Sequence, residues 1–333
     1  MVFACLRHAN TTIYRIFLCH FSILSFMTYI QLQNKFPTQQ SIITHFISIR
    51  YPNGITCPHC NANSKISLRN DRPKLTNCNS CKNTFSIFKD TIFEKSSVDL
   101  RKWFYAINLC LNAKKGISAC QLQREIGVTY KTAWRMLKQI RTAMGNENLK
   151  NTFELIVEVD ETYIGGRPRK SNYNTATKRR YYKKGRGTSK TPVISIRERG
   201  TGKVYAKVAA TDYNGRRLSG KQLLNVIETV AKENSVVMTD DFTGYNILNH
   251  KKTNPNHYTH ITVNHSVGQY SAGNGIHTNG IEGFWAIVKR SVYGTYHHIS
   301  VKYMQDYINE CCFKQNHRGD EAFDKLLALG INT

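Results

Sequence analysis

Residues 153–160 read Phe-Glu-Leu-Ile-Val-Glu-Val-Asp, and this stretch decides the fold predicted for the second half of the chain. The run is short, apolar and rich in β-branched residues, which predicts a buried β-strand that ends in an acid. Two more runs of the same kind follow at residues 191–197 and 203–210. Thr201 and Gly202 lie between those two runs and predict a tight turn, so the second and third strands should form a hairpin.

The rest of this half alternates helices with strands. A helix is predicted at residues 218–232, strands at 235–240 and 257–263, and a last helix at 279–292. Three consecutive strands followed by alternating helix and strand is the element order of a ribonuclease H type fold. We therefore predict an α/β domain at residues 151–315, with a ribonuclease H-like mixed sheet and helices on both of its faces.

Three acids lie at prominent points of this predicted domain. Asp160 ends the first strand, Asp240 ends the fourth, and Glu282 lies near the start of the last helix. The first and fourth strands are neighbours in this fold, so their ends should bring the two aspartates together. Converging carboxylates repel one another unless a hard divalent cation lies between them, which predicts a Mg²⁺ (or Mn²⁺) site for phosphodiester chemistry. The alternative is that each acid caps a turn or pairs with a Lys or Arg.

Four of the ten cysteines form two pairs ahead of this domain. Cys57-x-x-Cys60 and Cys78-x-x-Cys81 have the spacing of a four-thiolate zinc site. Residues 36–95 are accordingly predicted to be a zinc ribbon that needs Zn²⁺ to fold. The other cysteines show no pairing pattern, which favours a reducing, cytoplasmic compartment.

Residues 96–150 predict a helix-turn-helix. Apolar residues at helical spacing predict helices on both sides of Gly127, each preceded by a Ser or Thr that is suited to cap it. The start of the second helix enters the major groove in such motifs, which places Tyr130, Lys131 and Arg135 among the DNA-contacting residues. The alternative is an ordinary helical hairpin in a linker domain, and the pattern alone does not separate the two.

The charge of the chain favours a polyanionic partner. Its 333 residues include 47 Lys and Arg against 22 Asp and Glu, a formal charge of +25. Hydrophobic residues make up 41%, which excludes a disordered basic tail. An insertion at residues 167–190 is basic throughout and contains no acid. We expect it to contact DNA, the alternative being a solvated loop. The candidate contacts in it are Arg179, Arg180, Lys183 and Lys184.

Both ends of the chain lie outside the predicted domains. Residues 1–35 form an N-terminal extension whose apolar stretch is short for a membrane-spanning helix and lacks a small-residue cleavage site. It is interpreted either as a targeting segment or as the result of a start codon assigned too early, with Met27 as the true initiator. Residues 316–333 are expected to form a C-terminal tail, and no membrane partner is expected.

Three sequence blocks surround the acids. They are Val159-Asp160-Glu161-Thr162-Tyr163-Ile164-Gly165-Gly166, Thr239-Asp240-Asp241-Phe242-Thr243-Gly244-Tyr245 and His277-Thr278-Asn279-Gly280-Ile281-Glu282-Gly283-Phe284-Trp285. With the cysteine pairs ahead of them, these blocks resemble the DDE transposases of insertion-sequence family 1595, relatives of the Merlin elements that carry an N-terminal zinc ribbon. The resemblance runs from about Phe36 to about Leu327, and the joint occurrence of the blocks in this order is specific.

The resemblance implies a catalytic role for three acids. Asp160, Asp240 and Glu282 match the family's catalytic residues and would hold the magnesium ions. Glu161 and Asp241 are the runners-up at the two aspartate positions, and Asp241 is also suited to cap the short helix that follows it.

The resemblance identifies the third catalytic residue less firmly than the two aspartates. Family members vary there, so Asn279 and His277 are alternatives to Glu282 or partners of it in this role. Lys289 lies two helical turns after Glu282 on nearly the same face, where it and Arg290 would contact the DNA.

The implied function is that of a DNA transposase of a bacterial insertion sequence. It would bind terminal inverted repeats, hydrolyse strand ends and transfer the 3′ hydroxyls to target DNA. Joining two ends implies at least a dimer, located in the cytoplasm with the nucleoid. One alternative is a zinc-ribbon and helix-turn-helix regulator with an inactive catalytic domain. The other is a structure-selective nuclease, which would cut without joining.

Overall fold

The structure is a computed structural model that describes residues 27–69, 71–166, 172–181, 188, 190–209, 218–263, 277–319 and 321–331. No helix within these residues has both the length and the apolar character needed to cross a bilayer.

Among residues 27–150, as far as the structure describes them, five helices precede the α/β domain. Ser118 and Thr129 each cap a helix by accepting the backbone N–H three residues further on. Between the two helices, Gly127 has a φ of 59°, in the left-handed region that favours glycine at the end of a helix. The two helices of the predicted motif are therefore present around their glycine turn. The five are α1 (Tyr29–Lys35), α2 (Gln39–Arg50), α3 (Leu100–Asn112), α4 (Ala119–Ile126) and α5 (Tyr130–Met144).

The ribbon between α2 and α3 is a small antiparallel sheet. Its strands, in spatial order, are β1 (Ile66–Leu68), β2 (Leu75–Cys78) and β3 (Thr84–Ser86). Strands this short bury little, and the ribbon's own apolar cluster contains only Cys57, Cys78 and Phe85 as buried residues. A module with so small a core depends on a bound metal for its stability.

The second half of the chain contains a five-stranded mixed sheet and a short hairpin inside the basic insertion. The strands are β4 (Ile156–Ile164), β5 (Asn172–Asn174), β6 (Arg179–Tyr181), β7 (Thr191–Glu198), β8 (Val204–Val208), β9 (Val236–Asp240) and β10 (Thr259–Val263). The sheet has the order β10-β9-β4-β7-β8. β4, β7 and β8 pair antiparallel, whereas β9 pairs parallel with both β4 and β10.

Helices cover both faces of this sheet. On one face, α6 (Gly220–Val230) packs against Val157 and Val159 of β4. On the other, Phe284 and Trp285 of α7 (Asn279–Arg290) are buried together with residues of α8 (Met304–Asn316). Element order, strand order and layering confirm the predicted ribonuclease H-like fold.

Two of the boundaries that differ from the sequence-based expectation lie close to the predicted acids. Asp160 does not end its strand, because β4 continues to Ile164 and pairs with β7 along that whole length. Only the parallel pairing with β9 stops early, at Glu158. In addition, α7 ends at Arg290, and the six residues that follow, Ser291–Tyr296, form a π-helix.

Residues 321–331 pack into the core of the N-terminal helices. Residues 316–333 were expected to form a tail, yet they contain the helix α9 (Glu321–Leu329). Its Phe323 packs on Phe104 of α3, with ring centroids 5.3 Å apart. Phe323, Leu326 and Leu327 share one helical face, and burial of that face joins the C-terminus to the N-terminal helices.

Candidate active site

Two neighbouring strands bring Asp160 and Asp240 together. β4 and β9 are parallel, and Glu158 is the partner of Met238 in their register. Two residues further along, Asp160 therefore lies beside Asp240, the last residue of β9. One ligand oxygen of each of Asp160, Glu161 and Asp240 lies within 4.8 Å of the others.

The pKa of Asp160 reflects the crowding of these acids. Burial, followed by the charges of Glu161, Asp240 and Glu282, raises the pKa of Asp160 to about 8. The backbone N–H of Glu161 donates to Asp160 Oδ1 at 2.8 Å, and this bond opposes the rise. Glu282 thus lies near enough to act on the cluster. A site of this kind is unfavourable when ionised without a cation, and its all-oxygen donor set fits a hard divalent ion.

Glu161 is held in the cluster by a tyrosine. The hydroxyl of Tyr245 donates to Glu161 Oε2 at 3.0 Å, and both side chains are buried. Burial and the charge of Glu161 raise the pKa of Tyr245 well above its ordinary value, so the tyrosine remains a hydrogen-bond donor. From the sequence, Glu161 ranks below Asp160 as a candidate, but the structure brings both residues into the same group of carboxylate oxygens.

Glu158 was not singled out from the sequence, and it connects the sheet to the helix of Glu282. Its side chain is 0% exposed, and its Oε2 accepts the backbone N–H of Ile281 at 2.9 Å. Its Oε1 accepts from Nε of Arg199 at 2.8 Å and lies 3.8 Å from Nη1 of Arg197. A carboxylate at the first turn of a helix also interacts favourably with the helix dipole. Glu158 therefore fixes the start of α7, where Glu282 lies.

The close packing at this helix start requires a glycine. A Cβ added at Gly280 would lie 2.8 Å from Oε2 of Glu158 and closer still to Nη1 of Arg197, so both side chains would have to shift. Gly280 thus lets the backbone of α7 approach the buried carboxylate.

The proposed substitutes for Glu282 have other surroundings. His277 Nδ1 lies 3.7 Å from Glu158 Oε1, and its carbonyl accepts from the guanidinium of Arg199. Asn279 is the first residue of α7. Asp241 is exposed, and the short 3-10 helix after it has Phe242, not Asp241, at its N-cap position.

The four predicted zinc ligands come together in the ribbon. The Sγ atoms of Cys57 and Cys81 are 3.7 Å apart, and those of Cys60 and Cys78 are 3.6 Å apart. Zinc–sulfur bonds of about 2.3 Å in a tetrahedron imply sulfur–sulfur distances of about 3.8 Å. The four thiols are therefore arranged as a four-thiolate zinc site requires.

Comparisons with known proteins follow the same division of the chain. Residues 153–316 match the ISXO2-like transposase domain, and residues 37–84 match the transposase zinc-ribbon domain. An uncharacterized protein in transposable element ISH50 of Halobacterium salinarum is 32% identical over 249 residues, which cover 73% of this chain and 79% of that protein. The chain belongs to the family of ISXO2-like transposases. The resemblance inferred from the sequence blocks is thus confirmed.

Two solved structures are also similar to the transposase in part. A pre-cleavage Mos1 transpososome aligns over 68% of this chain and 78% of its own, at 11% identity and a TM-score of 0.30. A simian T-cell lymphotropic virus intasome aligns over 67% of this chain and 66% of its own, at 16% identity and a TM-score of 0.26. Family membership rests on the sequence matches.

The transposase exposes several of the predicted DNA-contacting residues. Lys289 and Arg290 are exposed on the last turn of α7, whereas Phe284 and Trp285 of the same helix are buried core residues. Lys131 and Arg135 are exposed on α5, and Arg135 donates to the carbonyl of Glu94 at 2.9 Å.

The basic insertion is described only in part. Arg179 and Arg180 lie in β6, opposite β5 in the hairpin. Lys183 and Lys184 lie outside the described residues.

Replacing one zinc ligand should unfold the ribbon of the transposase. Cys57→Ser removes one of four thiolates from a module with almost no apolar core, so we expect loss of stoichiometric zinc and loss of the ribbon's tertiary structure. Metal analysis of the purified protein and protease sensitivity of residues 52–88 measure both effects. Cys120→Ser is a matched control, because Cys120 is an exposed free thiol outside the ribbon. Wild-type protein without zinc would contradict the assignment.

Proposed function

We propose that this transposase binds the terminal inverted repeats of its element, hydrolyses a strand at each end, and transfers the freed 3′ hydroxyl to target DNA. The observation that carries the proposal is the group of oxygen ligands from Asp160, Glu161 and Asp240, with Glu282 acting on it from α7.

Each acid has a distinct part in this proposal. Asp160 and Asp240, which lie side by side on neighbouring strands, would hold divalent ions, and Glu282 would close the site from the helix. Mg²⁺ or Mn²⁺ bound there would activate water or a 3′ hydroxyl and neutralise charge at the transferred phosphate. Glu161, fixed by Tyr245, adds negative charge that favours the cation. The ribbon is proposed to hold Zn²⁺ through its four cysteines.

In this proposal, basic residues on α5 and α7 contact the DNA. The start of α5 reads the terminal repeat, while Lys289 and Arg290 contact phosphates beside the catalytic acids. Because two element ends must be joined to one target, the active complex contains at least two copies of the chain.

A strand-transfer assay tests the proposal against its alternatives. The purified protein is incubated with Mg²⁺ or Mn²⁺, labelled DNA that carries the repeats flanking its gene, and a target plasmid. Joined products support the proposal. Cleavage without joining would instead identify a nuclease, and retarded migration without cleavage would identify a DNA-binding regulator.

Neutralising the basic insertion should reduce the salt dependence of DNA binding. Replacing Lys183 and Lys184 with Gln removes two positive charges, and each lost phosphate contact lowers the slope of log K against log salt by about 0.9. Binding isotherms at a series of salt concentrations measure this slope. A matched control is the replacement of Lys114 and Lys115 with Gln, two lysines at the end of α3. An unchanged slope in the first variant would show that the insertion is a solvated loop.

A further inference from the structure

An aromatic cleft separates the second helix of the helix-turn-helix from the segment that follows α7. It encloses about 330 Å³, within the range of pockets that bind small organic groups. The walls come from Tyr130 and Trp134 on α5 and from Tyr296, Tyr303 and Tyr307 on the catalytic side. We call these five residues the aromatic cleft.

The rings present faces and edges to the space between the two domains. Trp134 and Tyr303 meet edge to face across the cleft, with centroids 5.2 Å apart. Tyr296 and Tyr307, both on the catalytic side, also meet edge to face, with centroids 4.6 Å apart. Tyr130 is 50% exposed, although it is a large apolar ring at the start of a DNA-binding helix. Half of the surface of this side chain is therefore accessible to a ligand.

Positive charge lies around the same rings. Lys138 Nζ lies 6.0 Å from the centroid of Trp134 and 5.4 Å from that of Tyr303. Lys302 Nζ lies 5.5 Å from the Tyr303 centroid, and both lysines are exposed. Sites that bind unpaired nucleotides combine aromatic rings, which stack on the bases, with exposed cations, which contact the phosphates.

We propose that the aromatic cleft binds one unpaired nucleobase of the bound DNA, and this rests on the proposed function of the chain as a DNA-binding transposase. Tyr130 and Trp134 stack on the base, while Lys138 and Lys302 hold the adjoining phosphates. The contact is tolerant of base identity, because every base has a face that stacks.

The position of the cleft relates it to the catalytic acids. Glu282 lies in the first turn of α7, and Tyr296 is the last residue of the π-helix that continues α7. The cleft would thus fix the end of the element relative to the catalytic site.

The test compares two labelled probes of equal length, a fully paired DNA duplex and the same duplex with one unpaired thymine. We expect the wild-type protein to bind the second probe roughly tenfold more tightly, in line with base–aromatic stacking. Tyr130→Ala and Trp134→Leu should reduce this ratio to near one. Tyr293→Ala is the matched control, because Tyr293 is 51% exposed on the neighbouring π-helix but does not line the cleft, and it should keep the ratio.

The outcomes separate this inference from the proposed function. Equal binding of both probes by the wild type overturns the inference and leaves DNA binding intact. Binding of neither probe removes DNA binding itself, and the inference falls with it. A preference that persists in Tyr130→Ala also overturns the inference, and this variant decides the question if Trp134→Leu does not fold, since the half-exposed Tyr130 contributes little to the core.

Discussion

Asp160→Asn is expected to abolish DNA cleavage and, at the same time, to stabilise the metal-free protein. The substitution removes a cation ligand. Mutation of a residue that only orients a metal ligand typically lowers activity about 10–100-fold. Loss of the ligand itself should therefore lower the rate of cleavage by more than about a hundredfold. The substitution also removes a carboxylate whose ionised form is destabilised by burial and by the charges of three neighbouring acids. The melting temperature of the metal-free protein should therefore rise. Each kcal/mol regained corresponds to about 2–4 °C.

The pH dependence follows from the direction of the shift. The pKa of Asp160 is raised from 3.8 to about 8, so the folded protein binds this proton more tightly than the unfolded chain. Stability from this group is therefore fully present below about pH 4 and is lost as pH rises through about 8. Thermal unfolding of the wild type in chelator should show a decline between these values, and Asp160→Asn should lack that part of it.

Divalent ions provide the complementary measurement. Added Mg²⁺ or Mn²⁺ should raise the melting temperature of the wild type, because the ion binds only the folded site, and should have little effect on Asp160→Asn. Asp241→Asn is the matched control, since it removes the same charge from an exposed residue next to the cluster. If Asp160→Asn cut DNA as the wild type does, Asp160 would not be a catalytic ligand.

The approach of Asp160 to Asp240 was predictable from the sequence. Strand patterning identified β4 and β9, and the element order made these two strands parallel neighbours, so acids at corresponding positions had to lie side by side. The placement of Glu161 was not predictable in this way. Adjacent residues of a strand point to opposite faces, which argued against a shared site. β9 ends at Asp240, however, and the bond from Tyr245 holds Glu161 near the other two acids.

The remaining differences between prediction and structure arise from contacts between residues that are far apart in the sequence. The apolar spacing of α9 predicts a buried helical face but does not identify the N-terminal helices as its partner. Glu158 did leave a signal, because it interrupts the apolar first half of the strand two residues before Asp160 and hence lies on the same face. What the spacing could not show is that Arg199, Arg197 and the backbone of Ile281 surround it.

Glu158→Gln is expected to weaken divalent-ion binding and cleavage, although Glu158 is not part of the group of cation ligands. Glutamine has nearly the same shape and accepts the N–H of Ile281, but it removes the charge that pairs with Arg199 and Arg197. Breaking one side of a buried pair costs about 3 kcal/mol. The start of α7 would then be held less firmly, and Glu282 with it. We expect a lower melting temperature and a higher metal concentration for half-maximal cleavage.

A matched control distinguishes positioning from general destabilisation. Glu198 is also buried in the same sheet, and its carboxylate accepts the backbone N–H of Glu154 at 2.7 Å, away from α7. Glu198→Gln should lower the melting temperature but leave the metal requirement of the folded protein unchanged. Glu158→Asp, which retains the charge, should recover part of the metal affinity that Glu158→Gln loses. If both glutamine variants shifted the metal requirement equally, Glu158 would be a structural residue of the sheet, and the start of α7 would be positioned by its other contacts.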